Sequence, residues 1–132
     1  MLRYIATAAL ALMLAVPAAA NEKIEGVISA QIEAFLQDDF EQAFTYASPM
    51  IQRSFQTPEK FGRMVRQGYP MVWRPEEVTF LSLEQRGQRL WQNVLIRDRD
   101  DKLHIVEYQM IEVDGRWLIN GVRIRRASAG SA

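Results

Sequence analysis

Apolar residues recur at three- and four-residue spacing at the start of the stretch 24–49, as Ile24, Val27, Ile28, Ile32, Phe35 and Leu36. Such spacing lays one stripe along a helix. Asp38 and Asp39 follow, carboxylates suited to the free N–H groups of a second helix start, which turns Phe40, Ala43, Phe44 and Ala47 inward and stops at Pro49. Met50, Ile51 and Phe55 add a further turn or two, to about Thr57. Thr57-Pro58-Glu59-Lys60 then reads as a new helix, with a hydroxyl N-cap and a first-position proline, Phe61, Met64 and Val65 inside, and Gly68 at the end. Tyr69-Pro70 is expected to be extended, and Val72-Trp73 a short strand cut off by Arg74-Pro75.

From Val78 the period changes to alternation. Four strands are expected over 78–85, 90–98, 103–113 and 116–125, separated by Gly87-Gln88, Asp100-Asp101 and Asp114-Gly115. Asp114-Gly115 is a type I′ hairpin signal, since both residues reach positive φ at low cost. The fold class is therefore α+β, with N-terminal helices packed on an antiparallel sheet of four main strands.

Two-residue turns at Asp114-Gly115 and Asp100-Asp101 fix a register. Val113 then faces Arg116, Met110 faces Ile119, Tyr108 faces Gly121 and Val106 faces Arg123; on the other side Arg97 faces His104, Leu95 faces Val106, Asn93 faces Tyr108 and Trp91 faces Met110. One face then carries Trp91, Leu95, Val106, Tyr108, Met110, Trp117 and Ile119, with Asn93, Arg97, His104 and Arg123 among them. The other carries Leu90, Val94, Ile96, Ile105, Ile111, Leu118, Val122 and Ile124, crossed by Gln92, Glu107, Gln109 and Asn120. Both are too apolar to be simply wet, so helices should cover the first and a second subunit, in a homodimer, the second.

The first residues change the picture of where the domain starts. Arg3, the apolar run Ile5 to Val16 and Pro17-Ala18-Ala19-Ala20 have the form of a secretory leader, with cleavage expected after Ala20. That leaves one domain over 21–126 and a frayed tail over 127–132. The run is shorter than the roughly 20 residues of a membrane span, so no integral membrane segment is expected after cleavage. Loss of Arg3 from a balanced 16 bases and 16 acids leaves the mature chain about one charge negative. Near-neutrality argues against nucleic acid or a polybasic lipid contact. The chain has no cysteine, which removes disulfides and thiolate metal sites, and one histidine, which removes a histidine-rich one.

A resemblance enters through Gln31-Ile32-Glu33-Ala34-Phe35, Asp38-Asp39, Ala43-Phe44, Tyr46-Ala47-Ser48-Pro49-Met50-Ile51, Phe61, Met64-Val65, Gly68-Tyr69-Pro70, Tyr108-Gln109-Met110 and Asp114-Gly115-Arg116-Trp117 through Gly121-Val122. Together these resemble an exported proteobacterial family known only as domain of unknown function 4864. The element order is similar to the nuclear-transport-factor-two-like, or cystatin-like, fold, which includes ketosteroid isomerase and scytalone dehydratase. The resemblance implies that this antiparallel sheet is strongly curved, into a cone closed by helices, and a periplasmic or secreted address in a Gram-negative envelope. It implies no activity.

The candidate ligand-binding residues are Asn93, Tyr108, His104, Arg97, Arg123, Trp91 and Trp117, all on the first face in the register above. Tyr108 and Asn93 would lie on the cone floor of the resembled fold, where a phenol and an amide orient a small apolar molecule. His104 would sit between Arg97 and Arg123, where two guanidinium groups favour a neutral imidazole and the three could hold a ligand carboxylate. No catalytic residue, metal ligand or cofactor is assigned. Asp38 and Asp39 are better explained as caps than as an acid pair. A ketosteroid-isomerase mechanism needs carboxyl groups in its cavity, and the first face offers only Glu112 near a hairpin end. The expected function is non-enzymatic binding, of a small apolar molecule in the cone or of a protein partner on the sheet. The alternative is a small cofactor-free enzyme using Tyr108, Asn93, His104 and Arg97.

Overall fold

The computed structural model describes residues 18–125. Five helices, α1 (Ala18–Leu36), α2 (Phe40–Thr45), α3 (Pro49–Phe55), α4 (Pro58–Gly68) and α5 (Pro70–Trp73), precede four strands, β1 (Glu77–Arg86), β2 (Arg89–Arg97), β3 (Leu103–Val113) and β4 (Arg116–Arg125). The strands form one antiparallel sheet in the order β1-β2-β3-β4, as hairpin-linked neighbours should. The leader and the tail lie outside the described residues, except for Ala18–Ala20, which open α1 across the expected cleavage position.

The helical stripe works as its spacing dictates. Ile24, Ile28, Ile32 and Phe35 are buried, while Leu36 is exposed at the end of α1. Asp38 and Asp39 divide their roles instead of capping together. Asp39 is the N-cap of α2, accepting from the Gln42 N–H at 3.1 Å. Asp38 takes a positive φ of 54° and turns its carboxylate to α5, accepting from Trp73 Nε1 at 2.8 Å and Arg74 Nη2 at 2.9 Å. Those two hydrogen bonds hold its carboxyl below the ordinary range. Pro49 opens α3 as its first residue, behind the N-cap Ser48, and Thr57 caps α4 by accepting from the Lys60 N–H.

The expected strand at Val72-Trp73 is a helical turn. Pro70 presets φ at its first position, and the N–H groups of Val72 and Trp73 both reach the Tyr69 carbonyl. Arg74 then stacks on the Trp73 ring at 3.9 Å.

Strand register departs from expectation at two places, each by one residue. Between β2 and β3 the connection is Asp98–Lys102, not a two-residue turn. Asp98 Oδ1 accepts from the N–H groups of Asp100 and Lys102, each at 2.9 Å, and Asp101 takes φ 63°. Arg97 therefore pairs with Leu103, and Asn93 with Glu107. The Asp114-Gly115 turn forms as expected, with φ 51° and 80°, and Val113–Arg116 and Met110–Ile119 pair as predicted. Beyond them Asn120 bulges out, so Tyr108 faces Val122 rather than Gly121 and Val106 faces Ile124 rather than Arg123. A similar break in β1 leaves Leu81 and Ser82 against one residue of β2.

A one-residue slip turns every later side chain over. The helix-covered face thus carries Val78, Phe80, Leu83, Leu90, Val94, Ile96, Val106, Tyr108, Met110, Trp117, Ile119, Val122 and Ile124. The outer face keeps Trp91, Leu95, Ile105, Ile111 and Leu118 with a set of charged residues, so it is much less apolar than the sequence pattern implied.

The helices close over that face through aromatic packing, with Phe61 of α4 within 5.2–5.9 Å, centroid to centroid, of Phe35, Phe44 and Phe55. Gly62 beside it is needed for a close approach, because a Cβ there would lie 2.5 Å from the Phe40 ring. Helix propensity alone favours Gly62→Ala by about 1 kcal/mol. The contact is expected to reverse that, giving a net loss of about 1–2 kcal/mol in urea unfolding; a gain in stability would show that Phe40 moves aside freely.

Candidate functional site

The bulge in β4 is where helices and sheet are tied. Ser48, fully buried, donates through its hydroxyl to Asn120 Oδ1 at 2.8 Å, and its own N–H reaches the Ile119 carbonyl at 2.8 Å. The Ile119 N–H in turn donates to the Tyr46 carbonyl at 2.9 Å. The α2–α3 connection is thereby fastened as a short parallel bridge, Ala47 to Ile119, along the edge of β4 that does not face β3. Asn120 also donates through Nδ2 to Gln109 Oε1 at 2.7 Å.

Holding that connection at β4 leaves a space next to it. A cavity of about 240 Å³ lies over β4, lined by Ile119, Gly121 and Val122 below and by Gln31, Phe35, Ala47, Ile51, Phe55, Phe61, Met64, Val65, Tyr69 and Val72 around it. Ile51, Phe55, Met64, Tyr69 and Val122 are only half-buried, so the space reaches the surface. Among the described residues, no Asp, Glu, Lys, Arg or His lines it. Its polar side chains are two. Gln31 is 3% exposed and donates through Nε2 to the Ala43 carbonyl at 3.2 Å; Tyr69 donates through its hydroxyl to the Val122 carbonyl at 3.3 Å.

The seven candidate residues do not come together. Tyr108, His104 and Trp117 are on the helix-covered face, whereas Asn93, Arg97, Trp91 and Arg123 are on the outer one. The flip follows from the Asp98–Lys102 connection for the three β2 residues and from the Asn120 bulge for Arg123. Tyr108 is fully buried, lies beside the cavity through its partner Val122, and is not part of the lining. Its hydroxyl has no hydrogen-bond partner among the described residues, and burial pushes its pKa well up. His104 sits at the sheet end with Nε2 2.8 Å from Asp98 Oδ2, not between arginines. Trp117 lies near the Asp114-Gly115 hairpin, in a shallow depression with Val27, Ala30 and Tyr46.

Five charged residues and a ring form a separate cluster outside, with Arg125 at its edge, 4.0 Å from Glu107. Glu107, 4% exposed, accepts from Arg86 Nη2 at 2.8 Å and Arg123 Nε at 3.0 Å. Both guanidinium groups lie over the Trp91 ring, at 5.4 and 4.5 Å, and Arg86 also binds Glu84 at 2.9 Å. Asn93 donates to Glu84 Oε1 and to Ser82 Oγ. Here the expected site residues Asn93, Arg123 and Trp91 have their polar groups or faces engaged by protein. Burial pushes the Glu107 carboxyl up, yet the bonds from Arg86 and Arg123 outweigh it and hold it below its ordinary value.

From sequence alone Gln31 and the Ser48–Asn120 pair carry no assigned role, and Tyr69, which with the three tryptophans could form a ligand cage, reads as packing. Gln31 did carry a signal, a polar residue within the otherwise apolar Ile24–Ile28–Ile32–Phe35 stripe.

Two outcomes follow from these placements. With no partner to lose, Tyr108→Phe is expected to melt at the same temperature as the parent or higher. A loss above about 1 kcal/mol would mean that the hydroxyl is paired. Because the folded Glu107 carboxyl has a depressed pKa, its stabilisation is present above the unfolded carboxyl pKa and disappears as pH falls through the folded one. Glu107→Gln should therefore cost about 1–2 kcal/mol at pH 7, modest because both arginines reach water, and the gap to the parent should close below about pH 4. A gap unchanged in acid would contradict the ion cluster.

No helix among the described residues is long and apolar enough to cross a membrane. No curated protein matches the chain closely enough to lend it a function. The family described as Domain of unknown function (DUF4864) matches residues 17–132, and the chain belongs to it.

Proposed function

We propose that this protein is a non-enzymatic binding module that holds a small, mainly apolar molecule in the cavity over β4. The observation that carries this reading is the lining, which among the described residues is ten apolar side chains and one glycine around about 240 Å³, with two hydrogen-bonding groups and no ionisable acid or base except the tyrosine phenol. An apolar cavity of roughly 150 Å³ already takes benzene, so a single ring or a short alkyl chain is the matching size. That is below the roughly 300–1,000 Å³ of drug-sized sites. The alternative enzyme lacks a meeting point, since Tyr108 and His104 lie across the sheet from Asn93 and Arg97.

The fold proposed is the nuclear-transport-factor-two-like cone. Helices on one face and register breaks in β1 and β4, which bend strands, support it. The setting proposed is the Gram-negative envelope, supported by the leader pattern over 1–20. A partner or second copy on the outer face has less support, because the Glu107 cluster covers its middle.

Ala47 offers a test. It is 1% exposed, lines the cavity and joins β4 only through backbone, so Ala47→Leu fills the space without removing a hydrogen bond. A fluorescent apolar probe titrated into the parent should bind, and Ala47→Leu should weaken binding at least about tenfold while the circular dichroism spectrum is kept. Equal binding by a folded Ala47→Leu would refute the cavity as the site.

A further inference from the structure

The chemistry of the cavity limits its ligand further, on the reading that it is a binding site. Gln31 presents a primary amide at 3% exposure on the inner side of α1. Its orientation is set by the Ala43 carbonyl, which requires a donor and so takes Nε2. Oε1 then accepts no hydrogen bond among the described residues. It is also not one of the sealed, unpaired side-chain atoms, which among the described residues are Gln92 Oε1 and Tyr108 Oη. An unpaired oxygen that is not sealed, on a residue that lines the cavity, is open to that space. The second polar point, Tyr69, has given its proton to the Val122 carbonyl, which leaves lone pairs on its oxygen. Both points can accept.

Charge narrows the class. Among the described residues no charged side chain lines the cavity, so a carboxylate there would lose its hydration with no cation of the lining to offset it and would face two acceptor oxygens. An ammonium would find acceptors but no counter-charge. A neutral hydroxyl or amide N–H meets the lone pair on Gln31 Oε1 and keeps its apolar body against Phe35, Ile51 and Met64.

We infer that the cavity takes an uncharged, mainly apolar molecule whose one polar group is a hydroxyl or amide N–H donating to Gln31 Oε1, and that it rejects the carboxylate of the same carbon skeleton. Gln31 is thus the specificity residue of the site, and the cavity selects alcohols or amides over fatty anions.

The test compares 1-octanol with octanoate on the full chain, by calorimetry and by the side-chain amide signal of Gln31 in nitrogen-15 NMR. At pH 7 octanol should bind at least about tenfold more tightly than octanoate and shift that signal. Lowering the pH from 7 to 5 should tighten octanoate by a similar factor as its acid form appears, a readout that needs no variant. Gln31→Leu, if folded, should bring the two ligands within about threefold at pH 7. Octanoate binding as well as octanol at pH 7 would overturn the inference and leave the binding reading standing. Binding of neither would bring down both.

Discussion

The hydrogen bond from Ser48 to Asn120, with the two backbone bonds beside it, is the constraint on which the architecture turns. It does three things at once. It gives the side-chain oxygen of the bulged residue of β4 a partner, while the Nδ2 of the same amide donates to Gln109. It fixes the α2–α3 connection against the sheet and supplies the N-cap of α3 from the same side chain. By taking up one residue, it also rotates the rest of β4 so that Val122 and Ile124 turn to the helices, and Val122 becomes part of the cavity floor.

The two faces of the sheet solve different problems. Under the helices, packing among Phe35, Phe44, Phe55 and Phe61 excludes water, and the register break in β1 is met from within by Gln92, which donates to the Leu81 and Ser82 carbonyls. Outside, nothing among the described residues covers the strands. Long arginine side chains do that work, laying their apolar stems and planar heads over Trp91 and Glu107. A buried carboxylate on an open face is therefore consistent with a cluster that shields itself, and it leaves the cavity as the part of the molecule with unassigned chemistry.

Much of this was legible in the sequence, and the rest failed for local reasons. Period gave α1 to α4 and all four strands, and Asp114-Gly115 gave its turn, because these depend on neighbours in sequence; the helical turn at Pro70–Trp73, expected as a strand, was too short to show a period. Register held only beside the Asp114-Gly115 turn, from Val113–Arg116 to Met110–Ile119, because elsewhere it is set by single residues acting at a distance. Asp98 wraps its own loop and lengthens the β2–β3 connection by hydrogen bonds that two adjacent aspartates did not announce. Asn120 bulges because Ser48, 72 residues earlier, meets it. Each event moves the ladder by one position, which is enough to send Trp91, Asn93, Arg97 and Arg123 to the opposite face. Asp38 misled in the same way, looking like a helix cap while its true partners, Trp73 and Arg74, lie far along the chain.

The register of β3 against β4 past Met110 decides the account most directly, since the cavity floor exists only if Asn120 is looped out. Backbone proton contacts across the two strands, measured by NMR on the full chain, should place Tyr108 opposite Val122 and Val106 opposite Ile124. Contacts of Tyr108 with Gly121 and of Val106 with Arg123 would show an unbroken ladder, turn Val122 away from the helices and contradict the site.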